Sequence, residues 1–205
     1  MSAETAPLRR RPVQERSTKR VERMLDACAE LIAEFGYDGT TTTLIAERAG
    51  VAVGSLYQFF PDKRAVVQSL TLRNLERFLA AVVERFEAVR LEHWWDAIDS
   101  IFDVYISMHR GARGFSRLHF GDVVDLRLLD DDRENNVVIA EQLAELVAER
   151  FQLKAEELLL PFAVAIEAAD AVLNLAFRRD PHGDPAVVHE AREMIRVYLS
   201  SSLGD

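Results

Sequence analysis

Residues Thr41 to Lys63 read TTTLIAERAGVAVGSLYQFFPDK. The piece is too polar and punctuated for a core helix, yet too regularly apolar for a loop. Threonines precede the apolar residues Leu44, Ile45 and Ala49, and Gly50 follows them, so a short helix is expected there. A second short helix is expected over roughly Val53–Phe59. Pro61 and Asp62 end it, and Asp62 is the expected N-cap of the helix that follows. Two short helices joined by a glycine-containing turn, with another helix packed across them, make a helix-turn-helix. In that unit the second short helix can lie in the DNA major groove while the first crosses the backbone.

The residue types in the stretch suit that task. Thr41, Thr42 and Thr43 bring hydroxyls to a helix start, where phosphate can be bound. Gly54 and Ser55 have little bulk and allow close approach to a groove wall. Tyr57 and Gln58 can reach phosphates or base edges, and glutamine can pair with adenine in bidentate fashion. Lys63, opening the next helix, is placed for a phosphate. Leu56 and Phe60 are expected to face inward.

Outside this stretch the 205-residue chain is rich in Ala, Leu, Glu and Arg and poor in β-branched runs, which points to an all-α protein. The formal charge of −9 is uneven: about +1 over residues 1–70 and −10 over the remainder. Only the N-terminal end is suited to approach a polyanion. Residues 1–16 carry two prolines and no apolar period and read as a flexible basic arm. Arg9, Arg10 and Arg11 either enter a minor groove or form a solvated tail. Val21, Met24, Leu25, Cys28, Leu31, Ile32 and Phe35 form one helical stripe, stopped by Gly36. Cys28, the single cysteine, lies on it as a small buried hydrophobe and suits a reducing cytoplasm.

The helix after Asp62 passes near Leu70 into an amphipathic stretch through Phe86, with no Gly, Ser or Pro tether. A hinge between packed helices is expected near residue 70. Further helices are expected from Trp94, over Val137–Phe151, over Ala155–Arg179, and from Asp184-Pro185 to about Ser200. Residues 110–136 hold three glycines and an acidic run, and read as short helices and loops. No secretory leader is visible, and the longest apolar run, Leu158 to Ile166, is far below the roughly 20 residues of a membrane span. A soluble cytoplasmic protein is expected.

The run GYDGTTTTLIAERAGVAVGSLYQFFPDKRAVV resembles the N-terminal signature of the tetracycline-repressor-like (TetR) transcriptional regulators. The resemblance rests on Gly36-Tyr37, the threonines, Ile45-Ala46, Ala49-Gly50-Val51, Leu56-Tyr57, Phe60 and Lys63, and spans about residues 20–70. It implies an all-α protein with a three-helix DNA-binding domain over 17–70 and a larger effector-binding and dimerisation domain over 71–205. Thr42, Thr43, Gly54, Ser55, Tyr57 and Lys63 then contact DNA, while Val53 and Gln58 stand at variable positions that set the operator sequence. Two departures stand out. Ala52 replaces the usual Ser or Thr opening the recognition helix, forfeiting a cap worth about 1 kcal/mol. Phe59 occupies a position where a histidine often touches phosphate.

Ala155–Arg179 is apolar on nearly every face, and Val188, Ala191, Met194, Ile195, Tyr198 and Leu199 form a stripe on the last helix. The simplest account pairs these helices with their copies in a two-fold four-helix bundle, as the resemblance also implies. The monomer with a large core is the rival. The resemblance further implies an apolar effector pocket among the central aromatics, with Trp95, Phe102, Tyr105, His109, His119, Glu167 and Asn174 as candidates. A small-molecule effector would release the protein from a near-palindromic operator. An activator of the same fold, or a helical dimer with an idle helix-turn-helix, are the alternatives.

Enzyme readings find little. His119, Asp122 and Asp125 lie close in sequence, but Gly121 interrupts them and a surface loop explains them better than a metal site. There is no phosphate-binding glycine loop after a strand and no nucleophile in a recognisable setting. Neither cofactor nor metal is expected.

Overall fold

The computed structural model describes residues 15–111 and 135–204, and all their regular structure is helical. The order is α1 (Glu15–Gly39), α2 (Thr42–Arg48), α3 (Val53–Phe59), α4 (Lys63–Ala88), α5 (Trp94–Gly111), α6 (Asn135–Phe151), α7 (Ala155–Arg179) and α8 (Pro185–Leu203). The arginines of the arm, His119 and the rest of 112–134 lie outside the described residues.

Helices α1 to α3 and the start of α4 close around one apolar cluster, the head. Met24, Cys28, Leu31, Ile32, Ile45, Leu56, Phe60, Val66, Val67 and Leu70 are all buried there. Burial pushes the Cys28 thiol up to about 12, so it sits in the cluster as a neutral hydrophobe. The stripe on α1 runs out one turn earlier than its spacing suggests, because Phe35 is 57% exposed. The helix breaks at Gly36, whose φ of 72° lies in the left-handed region, and the chain turns. Tyr37 then packs on the cluster in place of Phe35, and buried Thr40 donates its hydroxyl to the Gly36 carbonyl at 2.7 Å. Leu44 also points outward, leaving Ile45, Ala46 and Ala49 as the inner face of α2.

Caps set the short elements. Thr41 Oγ1 accepts from the Leu44 amide and starts α2. Ala52 starts α3 with no side-chain cap, and Asp62 accepts from the Ala65 amide to start α4. Gly50, at φ 65°, makes the turn between α2 and α3.

Helix α4 runs through residue 70 without interruption, so no hinge between two helices lies there. Val66, Val67 and Leu70 belong to the head cluster; Leu75, Phe78 and Val82, further along the same helix, belong to the second cluster. Between the clusters, buried Arg73 holds Glu22 at 2.9 Å and Asp26 at 2.8 Å, tying α1 to α4.

The second cluster, the body, is built by α4 to α8, with α7 packed between α6 and α8. The stripe on α8 divides. Ala191, Ile195 and Leu199 are buried in the body, whereas Met194, Val197 and Tyr198 face outward. Helix α7 likewise buries Leu158, Phe162, Ala165, Leu173 and Ala176 and exposes Leu160, Val164 and Leu175. Its most apolar 18-residue window averages a hydropathy of 1.8, with 22% of it buried. By length and composition α7 can cross a membrane, which the count of uninterrupted apolar residues in the sequence did not show.

Candidate nucleic-acid interface and effector cavity

The outer surface of the head is made by α2 and α3. Leu56, Phe59 and Phe60 turn inward from α3, which leaves Gly54, Tyr57 and Gln58 exposed. Phe59 therefore belongs to the core, and the position that carries a phosphate-touching histidine in the resemblance is closed to solvent here. Ser55 is half-buried, and Val53 packs its side chain partly against the head cluster. A Cβ placed on Gly54 would meet nothing within 4 Å, so no internal crowding requires glycine at that position.

Of the threonines, Thr41 is used as a cap, Thr43 is exposed, and Thr42 is half-buried. The Thr42 and Tyr57 hydroxyls lie 3.0 Å apart and share a hydrogen bond across the outer face. This couples the two short helices at the surface. Lys63 is half-buried. Its ammonium donates to the Tyr37 carbonyl at 2.8 Å and stands 3.9 Å from the centre of the Tyr37 ring. It thus ties the start of α4 to the break at Gly36-Tyr37 in α1. Arg48 and Glu34, which the sequence reading passed over, form a bidentate pair at 2.7 and 3.0 Å that fixes α2 on α1. A glutamate and an arginine fourteen residues apart on different helices carry no local signal.

The body encloses a cavity of about 70 Å³. Its walls include Phe78 from α4, Phe102 and Tyr105 from α5, Ile139 and Leu143 from α6, and Leu173 from α7. Asn136 and Asp170 make its polar end. Phe102 and Tyr105 were expected there. Trp95 is not: two turns earlier on α5, it stacks on His93 at 4.2 Å. His109 is buried one turn beyond Tyr105, with its ring stacked on Phe177 at 3.4 Å, away from the cavity wall. Glu167 accepts from the Asn136 amide at 2.7 Å, and Asn174 donates to Asp170 at 3.2 Å, so both stand behind the polar end. Asn136 itself was missed, since residues 110–136 read in sequence as short helices and loops, whereas α6 begins at Asn135.

Two family descriptions match the chain: bacterial regulatory proteins of the tetR family over residues 24–70, and the tetracyclin repressor-like C-terminal domain over residues 92–203. The repressor KstR of Rhodococcus jostii is 42% identical over 59 residues, 29% of this chain. The chain spans 28% of that relative's length. A TetR-family transcriptional regulator from Streptomyces coelicolor is 39% identical, with a TM-score of 0.77 over 90% of this chain and 99% of its own. FadR from Bacillus subtilis, solved with stearoyl-CoA, shares the fold at 18% identity and a TM-score of 0.62, over 87% of this chain and 97% of its own. With the second description alone matching more than half of the residues, and the first falling on the head built around α2 and α3, the chain belongs to the TetR family of regulatory proteins.

Proposed function

We propose that this protein is a homodimeric transcriptional repressor that reads a near-palindromic operator with its head, residues 17–70, and dimerises and senses a small molecule with its body, residues 71–205. The observation that carries the reading is the outer face of α3. Gly54, Tyr57 and Gln58 are exposed on a seven-residue helix held from beneath by Leu56, Phe59 and Phe60. Such a helix presents small, hydroxyl and amide side chains to a groove. Thr42, Thr43, Val53, Ser55 and Lys63 border that face and complete the proposed contact set.

The dimer is supported by the exposed apolar residues of α7 and α8. Leu160 is 72% exposed and Val197 70%. Exposed apolar residues on two helices packed against each other suit an interface. A second copy suits it better than a bilayer, since α7 carries Glu167 and Asp170, charges that are expensive within hydrocarbon. Effector control is supported by the body cavity and by α4, which contributes to the walls of that cavity and to the head cluster. Displacement of α4 would move the heads out of register.

Selection of bound sequences from a random DNA pool, at near-physiological salt, tests the reading. A near-palindrome with half-sites about 34 Å apart is expected. Salt-sensitive binding without a recovered motif would sink it.

A further inference from the structure

We propose that the body cavity takes a neutral, compact apolar alcohol whose hydroxyl donates to Asn136 Oδ1. This rests on the effector reading above and adds the chemical class of the ligand. Asn136 stands in the first turn of α6, lines the cavity and is only 6% exposed. Its NH2 donates to a Glu167 carboxylate oxygen at 2.7 Å. An ionised carboxylate only accepts hydrogen bonds, so the amide cannot be turned around. Its nitrogen faces Glu167 and its oxygen faces away. That oxygen is buried and takes no hydrogen bond from a protein group. A buried carbonyl oxygen without a donor is unfavourable, and a ligand hydroxyl that reaches it removes the penalty.

Stability gives no reason for an amide at this place. Glu167 is exposed, so water serves its carboxylate without Asn136. A leucine of similar volume would leave no orphaned oxygen beside Ile139, Leu143 and Leu173. The oxygen suits a donor that arrives with a ligand. An amide oxygen carries no net charge, so one neutral donor satisfies it and a buried charge would gain no ion pair from it. Among neutral groups a hydroxyl donates, whereas a ketone, ester or ether only accepts and would set oxygen against oxygen. A ligand amide would bring a carbonyl that needs a partner of its own. Asp170, at the same end, already accepts from Asn174 at 3.2 Å and is not needed as a ligand group. A water offers Asn136 the same donor, but a ligand hydroxyl comes joined to a body that Phe102, Ile139, Leu143 and Leu173 can bury. At about 70 Å³ the space is far smaller than a typical ligand pocket of roughly 300–1,000 Å³, so the ligand must part the walls as it enters. One of those walls is Phe78 of α4, the helix whose first turns belong to the head cluster.

The test uses the full-length protein and two alcohol–ketone pairs of matched shape, cyclohexanol with cyclohexanone and menthol with menthone. Binding is read by calorimetry and by melting temperature, and operator release by fluorescence anisotropy on the selected operator. In at least one pair the alcohol is expected to bind saturably, about tenfold or more tightly than its ketone, and to release DNA. Asn136→Leu should bring alcohol and ketone to within about twofold of each other, while its ligand-free melt and operator binding verify that it is folded. Glu167→Gln should shrink the preference by another route. A glutamine can donate to Asn136 Oδ1 as well as accept from its NH2, so Asn136 becomes free to turn its NH2 to a ketone. Equal or tighter binding of the ketones by the wild type overturns the ligand class, and operator release by either partner then leaves the effector reading standing. A preference that survives Asn136→Leu overturns the placement of the hydroxyl. One that survives only Glu167→Gln overturns the role of Glu167 in holding the amide. An alcohol that binds with this preference but never moves the operator supports the class and overturns the effector reading. Failure of all the probes to bind overturns the class.

Discussion

In the head, Met24, Leu31, Ile45, Leu56, Phe60 and Val66 are all buried by the chain's own α1 to α4, and the exposed face of α3 carries a glycine, a tyrosine and a glutamine. In the body, Leu173, Ile195 and Leu199 are as deeply buried, yet Leu160 and Val197 on the same two helices stand about 70% exposed. The head completes its own core and leaves a glycine, a hydroxyl and an amide exposed on α3. The body leaves part of its apolar surface uncovered and keeps a cavity within. Covering exposed apolar side chains with another surface is favourable by roughly 25 cal/mol for each Å² removed from water. The two regions thus differ: the head is completed by folding alone, and the proposed dimer would complete the body by association.

A charge placed on the exposed face of the body should break that contrast with the largest effect. Val197→Asp is expected to convert the dimer to a monomer in sedimentation, since an unpaired carboxylate in an apolar seam is strongly unfavourable. With two heads no longer linked, operator affinity should fall by on the order of 10²-fold or more. Far-UV circular dichroism should be unchanged, because residue 197 is outside the core. A variant that stays dimeric and binds normally would place the seam elsewhere.

Tyr57→Ala probes the opposite side of the comparison. On the order of tenfold weaker operator binding is expected, with the dimer intact. Stability should change by less than about 1 kcal/mol, since the Tyr57–Thr42 hydrogen bond is exposed. Lys63→Ala should be smaller in affinity and different in kind. It removes the ammonium from the Tyr37 carbonyl and ring, so the melting temperature should fall, by about 1–2 kcal/mol of stability. If Lys63 also meets phosphate, the slope of log affinity against log salt should shrink by about one per protomer. Loss of stability with an unchanged slope would make Lys63 a residue of the turn alone.

The head was the legible part of the sequence because its information is local. Gly50, Asp62, Pro61 and the apolar spacing of 44 to 60 fix helix ends and faces within a few residues, and α3 appears over Val53–Phe59 as read. The errors there came from single side chains where the chain turns. Phe35 keeps the stripe's spacing, but the break at Gly36 removes the surface it would have covered. In the body the helices were legible and their partners were not. Periodicity gives an apolar stripe on α8 but cannot divide Ala191, Ile195 and Leu199, which meet α7 and the core, from Met194, Val197 and Tyr198, which do not. The cavity was harder still. Trp95 and His109 share the composition of Phe102 and Tyr105, and only the helix packing decides which ring faces the space. Asn136 and Glu167, thirty-one residues apart, meet through tertiary structure alone.

The smallest expected effect separates what the head needs for folding from what it needs for binding. Gly54 lies in the first turn of α3 with no positive φ, and a Cβ there would meet nothing within 4 Å. Folding therefore gives no reason for glycine. Alanine is favoured over glycine in a helix by roughly 0.5–1 kcal/mol, so Gly54→Ala should raise the melting temperature slightly. If α3 approaches the groove wall at this position, the added methyl displaces the helix, and operator affinity should fall a few-fold. Opposite signs in the two measurements are the expected outcome, obtained from thermal melts and operator titrations on the same preparation. A rise in stability with unchanged affinity would mean that position 54 stands clear of DNA, and the contact set would then centre on Tyr57 and Gln58 further along the helix.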